Sequence, residues 1–418
     1  MPRPLRILFV PFGSEGDVNP LVWLARGLRE RGHSPVFLLT PHYAHRVEGL
    51  EWHPIGTEED FLRMARDPDL WKPVKGTLRV AAAMVESMDT FQQAFHALGE
   101  RFDLVVTTSF SFAASCVAEA AGIPRLMLHL QPVCVRSVGD FPIMGDELRF
   151  FHRAPAFVKR TLFGMADLLL NPLLLPSLNR FRKTLGLEPW QDFYREALMS
   201  GEGVGLLYPD WFAPPQPDWP QVVKQFGFPI PTEPPPELPA ALATWIDAGE
   251  PPVVWTHGSA NLHIEEFHRV AVAASADVNT RALLVSKVAP AIPLPAGMFH
   301  FPHVAFESLF PKCRAVVHHA GIGTTAKAFH AGIPQLAIPL AHDQFDNAAR
   351  IERLGAGLRC RKSARSASAA FGRLIRSEEF TRSVAQCQAL AQADKKLSNL
   401  CDFAEQLAGH VFDRPSIR

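Results

Sequence analysis

Short apolar runs alternate with helix-forming segments through the first third of the chain. The runs Leu5 to Pro11, Leu104 to Thr108 and Arg125 to Leu130 are mainly aliphatic, which is typical of strands buried on both faces of a parallel sheet. Between the first run and a further apolar segment at residues 32–40, the pattern predicts a helix over Leu21 to Arg31. The chain therefore opens with a β–α–β unit of the Rossmann-like kind.

The same alternation returns after a proline-rich segment. Strands are predicted at Pro252 to Thr256 and Ala282 to Ser286, with a helix near Glu265 to Ser275 between them. Because proline is excluded from helix interiors and central strands, residues 209–239 are interpreted as a semi-rigid connection. The predicted fold is α/β, with two Rossmann-like domains that face each other across a cleft. The expected units are a first domain at 1–208, the linker at 209–239, a second domain at 240–395 and an amphipathic helix within 396–418.

The stretch from His300 to Arg350 carries the densest pattern of functional residues. Its segment RAVVHHAGIGTTAKAFHAG predicts a buried strand, a tight glycine turn and a helix. Backbone N–H groups and the positive end of the helix dipole then lie at the carboxyl end of a strand, where open α/β sheets bind anions. A phosphate group is the expected ligand. The candidate contacts are Gly321, Gly323, Thr324, Thr325, and His318 or His319.

A cluster of hydrogen-bonding side chains follows the next predicted strand, Gln335 to Pro339. His342, Asp343, Gln344 and Asn347 suit a ligand with several hydroxyl groups. A diphosphate beside a polyol describes a nucleotide sugar. The alternative is an α/β turn with glycines chosen for packing, but it does not account for histidines, hydroxyls and an Asp-Gln pair that all fall in register.

Asp17 follows the first strand in the turn GSEGDVNP. At the carboxyl end of a parallel strand it faces the predicted cleft, as catalytic side chains of such sheets do, and the family resemblance given below implies that it is the general base for an acceptor hydroxyl. A carboxylate with an ordinary pKa of about 4 is a weak base, so it needs partial desolvation or acts mainly by orienting the hydroxyl. The alternative is that Asp17 caps the helix that begins near Pro20.

Residues 141–187 have a different pattern, in which apolar residues at helical spacing interleave with basic ones. Pro172 and Pro176 interrupt the run, which makes it too broken to cross a bilayer. Three interpretations stay open: a helical hairpin lining an apolar acceptor pocket, an interfacial helix whose cations meet lipid headgroups or an acceptor carboxylate, and ordinary helices packed on the first sheet. The candidate acceptor contacts, here and in neighbouring segments, are Trp71, Phe110, His129, Arg160 and Phe163.

Charge and cysteine content exclude several classes of function. Lys plus Arg equals Asp plus Glu, 42 each, so nucleic acid is not expected as a partner. The six cysteines lack metal-ligand spacing, and no carboxylate cluster stands near the glycine turn, so neither a metal nor a cofactor is expected.

We expect a cytoplasmic protein, because no signal peptide or bilayer-spanning run is evident. Peripheral contact with the inner membrane and a partner acyltransferase are open alternatives.

The motifs of His300 to Arg350 together resemble the signature of the inverting GT-B glycosyltransferases, roughly His-x-Gly, Ser/Thr, Gly-x-Pro and Asp-Gln-x-x-Asn. The resemblance implies the GT-B fold, with a final helix that crosses back onto the first domain. The nucleotide-sugar contacts that it implies are Ser14, Gly16, Gly258, Ser259, His303, Val304, Phe306, His319, Gly323, Thr324, Asp343 and Gln344. Of these, His303, Val304 and Phe306 would line the base pocket. Lys327 stands where many relatives place a glutamate for the ribose hydroxyls, so a deoxyribose nucleotide becomes easier to accept.

Four segments, GSEGDVNP, DPDLWKP, WFAPPQPDWP and AHDQFDNA, look like those of the rhamnosyltransferases of rhamnolipid biosynthesis. This resemblance implies metal-independent transfer of L-rhamnose from dTDP-L-rhamnose to the hydroxyl of a 3-(3-hydroxyalkanoyloxy)alkanoic acid, with inversion. Asp17 aligns with the histidine base of many relatives. The alternatives are a UDP-glucose-dependent glucosyltransferase acting on a related lipid or natural-product hydroxyl, and a catalytically silent nucleotide-binding homologue.

Overall fold

Two parallel sheets form the framework of the molecule. The computed structural model describes residues 3–99, 101–231, 234–258, 264–393 and 397–409. The strands of the first sheet are β1 (Arg6–Val10), β2 (Ser34–Leu39), β3 (Glu51–Pro54), β4 (Leu104–Thr108), β5 (Arg125–His129), β6 (Gly203–Leu206) and β7 (Val223–Gln225). Those of the second are β8 (Val253–Thr256), β9 (Ala282–Val285), β10 (Met298–Phe301), β11 (Ala315–His318), β12 (Gln335–Ala337) and β13 (Gly357–Arg359).

Each sheet is parallel throughout, and the two follow similar orders. The first runs β3-β2-β1-β4-β5-β6-β7 and the second β10-β9-β8-β11-β12-β13. In both sheets the order reverses beside the first strand, β1 or β8, and this switch point opens a crevice at the carboxyl ends of the strands. The predicted α/β fold with two Rossmann-like sheets is confirmed.

Helices cover the faces of both sheets. In the first half they are α1 (Glu15–Glu30), α2 (Glu58–Ala65), α3 (Pro73–Leu98), α4 (Phe112–Ala120) and α5 (Ala156–Thr184). In the second half they are α6 (Ala240–Asp247), α7 (Glu265–Val278), α8 (Phe306–Leu309), α9 (Ile322–Ala331), α10 (Gln344–Arg353), α11 (Ala364–Arg376), α12 (Thr381–Ala393) and α13 (Leu397–Gly409). The central strands are buried on both faces, as their continuous apolar sequences predict.

The proline-rich segment contains the last strand of the first sheet, β7, which pairs with β6. The first sheet therefore extends beyond the expected domain boundary at residue 208. Proline flanks this three-residue edge strand and does not enter it, which is how a proline-rich segment accommodates a strand. On either side of β7, Phe212 and Phe228 pack against each other and against Phe329 of the second domain, so much of the predicted linker is packed core.

The final helix, α13, packs on the first domain. Leu400, Phe403 and Leu407 are buried in the core of the first sheet. Arg31, just after α1, forms ion pairs with Asp402 at 2.6 Å and with Glu405 at 3.2 Å. Residues beyond 409, which the sequence included in this helix, lie outside the described part of the chain.

Helix α5 is a single helix of 29 residues, with Pro172 and Pro176 inside it. The hairpin, one of the three interpretations left open, is therefore wrong, and so is the expectation that the prolines break the run too much to cross a bilayer. Both prolines lie on the exposed side, where water can hydrate the carbonyl groups that they leave without an N–H partner. Within the described ranges, α5 is the one helix long and apolar enough to cross a membrane by length and composition.

Candidate active site

Asp17 lies in the first turn of α1, next to the end of β1. Its Oδ2 accepts hydrogen bonds from the backbone N–H of Ser14 at 2.7 Å and from the Ser14 hydroxyl at 3.1 Å. The Ser14 Oγ in turn accepts from the N–H of Gly16 at 3.2 Å. Ser14 and Asp17 thus cap the start of α1 reciprocally. This capping box explains why α1 begins at Glu15 and not at Leu21, where the pattern predicted its start. Asp17 therefore does cap the helix, as the alternative interpretation proposed. Both hydrogen bonds from Ser14 end on the Oδ2 atom of Asp17.

The surroundings of Asp17 raise its pKa to about 6, because desolvation outweighs the hydrogen bonds from Ser14. The side chain nevertheless keeps part of its surface open to solvent. A carboxylate with this pKa is ionised at neutral pH and is a stronger base than an ordinary aspartate. The partial desolvation that the sequence argument required is therefore present.

Asp343 lies across the cleft from Asp17, in the second domain. Burial raises its pKa to about 7, a hydrogen bond from Asn347 opposes the shift, and the charge of Asp17 adds to it. The two carboxylates are thus close enough to interact. The cleft brings together the candidate base and one of the candidate sugar ligands.

The glycine turn after β11 presents an open helix terminus. Ala320 is held in the left-handed region at φ 65°, and Gly321 is the N-cap of α9. Gly321 has no side chain to cap the helix, so N–H groups in its first turn remain available for an anion. Gly323 and Thr324 lie in this turn and reach the surface, whereas Thr325 is fully buried.

His319 is held in a slot between two glycines. A Cβ on Gly258 would lie 2.5 Å from the Cε1 of His319, and one on Gly321 would lie 2.9 Å from the same atom. The ring of His257 stacks on His319 at 5.7 Å between centroids. The buried Nδ1 atom of His319 has no hydrogen-bond partner among the described residues, and burial lowers its pKa to about 4. A neutral ring with an unused nitrogen at a helix N-terminus is suited to a phosphate oxygen.

His318 points the other way and is a core residue. Its Nε2 lies 3.0 Å from the Oε1 atom of Gln335, and its Nδ1 accepts from the N–H of Ala320 at 3.2 Å. It is fully buried, so the predicted contact between His318 and the nucleotide sugar is corrected in favour of His319.

Asn347 joins the glycine turn to the loop of Asp343. Its Nδ2 donates to the carbonyl oxygen of Ala320 at 3.0 Å and to the Oδ2 of Asp343 at 2.7 Å. Gln344 uses its Oε1 to accept from the N–H groups of Leu340 and Ala341. The oxygen atoms of Gln344 and Asn347 are buried, so these residues position the loop, and Asp343 is the member of the cluster that reaches the cleft.

The predicted base pocket lies at the start of α8. Val304 is buried, His303 is exposed, and Phe306 stacks on Phe310 at 4.6 Å. Lys327 forms an ion pair with Glu307 at 3.0 Å, and its Nζ lies 5.7 Å from the centre of the Phe306 ring. A carboxylate, that of Glu307, is thus present near Lys327, the residue that replaces the glutamate of many relatives. Glu307 comes from α8, however, and Lys327 neutralises its charge.

Contacts between the domains involve partners that the sequence did not reveal. Glu15 pairs with Arg46, and the Nζ atom of Lys287 in the second domain lies 3.9 Å from the other oxygen of Glu15. His342, in the left-handed region at φ 58°, has its Nε2 3.1 Å from the carbonyl oxygen of Leu70. Glu15 and His342 belong to the motifs GSEGDVNP and AHDQFDNA, but their partners lie far away in the chain, so no spacing marks these contacts. The only signal in the sequence for these contacts was the position of His342 next to the Asp343-Gln344 pair.

The predicted acceptor contacts have different outcomes. His129 is fully buried, with Nδ1 2.8 Å from the Ser109 hydroxyl and Nε2 2.7 Å from the Leu198 carbonyl oxygen, so it is a satisfied core histidine and the predicted contact is corrected. Phe163 stacks on Phe141 at 4.8 Å, beneath the guanidinium of Arg136.

The remaining predicted contacts are peripheral or undescribed. Arg160 is exposed on α5, and Phe110 is half-buried beside α4. The side chain of Trp71 and the whole of Ser259 lie outside the described part of the structure. Among the residues that are described, no three His, Cys, Asp or Glu side chains are placed to hold a metal ion. Independence from metals stays a prediction.

The chain resembles known proteins over most of its length. Residues 273–398 match the family model of the erythromycin biosynthesis protein CIII-like C-terminal domain. The chain is 30% identical to O-mycaminosyltylonolide 6-deoxyallosyltransferase of Streptomyces fradiae, over 97% of this chain and 98% of that protein. It is also 30% identical to the vancomycin aglycone glucosyltransferase of Amycolatopsis orientalis, over 85% of each chain. The solved structure of the kitacinnamycin glycotransferase matches with a TM-score of 0.71 at 19% identity, over 97% of this chain and 100% of that one.

Proposed function

Since this chain belongs to the GT-B glycosyltransferases, we propose that it transfers L-rhamnose from dTDP-L-rhamnose to the hydroxyl of a 3-(3-hydroxyalkanoyloxy)alkanoic acid. The observation that carries the proposal is the position of Asp17. This carboxylate, with a pKa raised to about 6, faces Asp343 across the cleft that holds the open terminus of α9.

The proposed reaction is a single displacement with inversion. The acceptor oxygen attacks the anomeric carbon, the bond from that carbon to the diphosphate breaks, and its electron pair leaves with dTDP. Asp17 takes the proton of the acceptor hydroxyl. The free N–H groups at the start of α9 and the neutral ring of His319 donate hydrogen bonds to the leaving diphosphate. Asp343 accepts hydrogen bonds from hydroxyl groups of the sugar.

Two observations support a deoxysugar carried by a deoxyribonucleotide. The Streptomyces fradiae relative is named as a 6-deoxyallosyltransferase, so its donor sugar is a 6-deoxyhexose, as L-rhamnose is. In addition, Glu307 is engaged by Lys327 near the base pocket, which leaves it less free to bind the second hydroxyl of a ribose.

An amphiphilic acceptor is supported by the sequence resemblance and by the wall of the first domain. Four segments spread over the chain look like those of rhamnolipid enzymes. The inner side of α5 contributes Phe163, and the guanidinium of Arg136 lies over the rings of Phe163 and Tyr194 at 5.0 and 3.4 Å. This aromatic surface suits an acyl chain.

The test is turnover by Asp17→Asn, measured by mass spectrometry of the glycosylated acceptor. Loss of the general base should lower kcat by roughly 10²- to 10⁴-fold, with donor binding nearly unchanged. Asp60→Asn is the matched control, because Asp60 closes the same kind of cap with Thr57 at the start of α2, where it is exposed. Equal turnover of Asp17→Asn and wild-type protein would refute the proposed role.

The vancomycin aglycone relative favours one second candidate, glucose transfer from UDP-glucose to a natural-product hydroxyl. Parallel assays with dTDP-L-rhamnose and UDP-glucose separate the two. Exclusive use of UDP-glucose would refute the rhamnosyl proposal, whereas donor binding without turnover of any acceptor would identify a silent homologue.

A further inference from the structure

We propose that the outer face of α5 binds an anionic lipid surface. This face consists of Phe157, Met165, Leu168, Leu169, Pro172, Leu173 and Pro176, all of which are exposed. Leu168 and Leu169 are 77% and 74% exposed, and Phe157 is 69% exposed. Singly exposed apolar residues are ordinary on a protein surface, but a contiguous apolar patch of large side chains marks an interaction site.

From Met165 to Pro176 the outer face is one continuous stripe, because its residues recur at intervals of one or three positions along the helix, and Phe157 lies about two turns before Met165. The opposite side of α5 is anchored in the first domain by Leu174, Leu175, Leu178 and Phe181, each at most 7% exposed. The helix is therefore unable to rotate the stripe into this chain's own core. In the 3-10 segment that leads into α5, Phe150 is 66% exposed and extends the apolar surface.

Cations lie at both ends of the outer face. Arg153 and Arg160 are exposed near its start, and Arg180 and Lys183 continue the stripe at its end. The acidic residue in α5, Asp167, forms an ion pair with Arg136, which is not part of the helix. An apolar stripe with cations at its ends matches a surface of acyl chains beneath anionic headgroups.

This distribution of charge favours lipid over a second copy of the chain. In a two-fold symmetric pair the same face meets itself, and the antiparallel arrangement would place the cations of one helix end against those of the other. Like charges held together at both ends oppose such a dimer, whereas anionic headgroups neutralise them.

The structure also favours a helix that lies in the interface over one that spans the bilayer. Crossing would require α5 to leave its anchoring contacts, and it would place Asp167 within hydrocarbon without its partner Arg136. A helix in the plane of the interface keeps these contacts and buries the outer face alone.

The test is cosedimentation of the full chain with vesicles, in the absence of donor and acceptor. We expect binding to a mixture of phosphatidylcholine and phosphatidylglycerol, weaker binding to phosphatidylcholine alone, and release by salt. Leu168→Glu with Leu169→Glu should lower the vesicle partition coefficient at least tenfold. Val85→Glu with Leu390→Glu, each at a 41%-exposed apolar site on another helix, is the matched control and should bind as wild type.

A charge variant tests the headgroup contact separately. Arg180→Gln with Lys183→Gln should reduce binding to the anionic vesicles severalfold and leave binding to phosphatidylcholine unchanged. Wild-type protein that binds neither vesicle overturns the proposal, as does full binding by the Leu168 and Leu169 variant. If sedimentation equilibrium instead shows a wild-type dimer that this variant dissociates, and vesicles are not bound, the face is a contact between copies. None of these results depends on which sugar or acceptor the enzyme uses.

Discussion

The slot around His319 allows a sharp test of the donor site, the substitution Gly321→Ala. Gly321 has φ −63° and ψ 138°, which alanine adopts without strain, so the effect of the change is steric. The new Cβ would lie 2.9 Å from Cε1 of His319, where ordinary contacts begin at 3.4 Å, and closer still to Nε2. The ring must therefore move by about 0.5–1 Å, away from the diphosphate position. Displacements of this size cost on the order of 10²-fold in rate when the displaced group positions the reaction.

The assay is donor binding by calorimetry together with steady-state kinetics. We expect Gly321→Ala to weaken dTDP binding and to lower kcat/KM by roughly ten- to a hundredfold, with little change in thermal stability. Gly164→Ala, in α5 and away from this turn, is the control: a Cβ there meets nothing within 4 Å, and alanine in a helix is favoured over glycine. Normal dTDP binding and kinetics in Gly321→Ala would show that His319 does not act on the diphosphate.

Two further predictions follow from the charged residues of the cleft and the domain contact. Because the proposed base, Asp17, is active when ionised, kcat/KM should rise with pH up to about 6–7 and then level off. The residual activity of Asp17→Asn should lack the part of this rise that Asp17 causes. A flat pH profile in the wild type would contradict the assignment of Asp17 as the base. Arg350→Met should lower the free energy of unfolding by about 3–5 kcal/mol in urea denaturation, because it leaves Asp346 buried without its cation and leaves Asp140 paired only with Arg353. Arg353→Met, at a 44%-exposed side chain, should change the free energy of unfolding by about 1 kcal/mol or less. Equal effects of the two substitutions would contradict the argument.

The sequence predicted the strands well because a strand buried on both faces has few alternatives. The run Leu104 to Thr108 became β4 without a change of boundary. Helix starts were less accurate. Pro20 suggested a first helical position, but it lies inside α1, because the Ser14–Asp17 cap starts the helix earlier. Strand β7 and the continuity of α5 depend on tertiary packing, which local composition does not encode.

For the site, the sequence located the motif but not the orientation of each side chain. His318 and His319 are adjacent at a strand end, so they face opposite sides, and only the folded sheet decides which side is core. Glu15, Lys287 and His342 act through partners in the other domain, and spacing along the chain carries no signal for such contacts.

Asp17 also links the stability of the fold to its readiness for chemistry. An acid whose pKa rises from 3.8 to about 6 on folding binds more protons in the folded than in the unfolded state between these values. The protein should therefore lose stability as pH rises from about 4 to about 6, by at most about 3 kcal/mol and by less because the side chain contacts solvent. Selection for a more stable α1 would favour the neutral amide, which keeps an oxygen for the cap but removes the base. On the proposed mechanism, the stability of the first domain and the activity of the protein are thus competing demands on a single carboxylate.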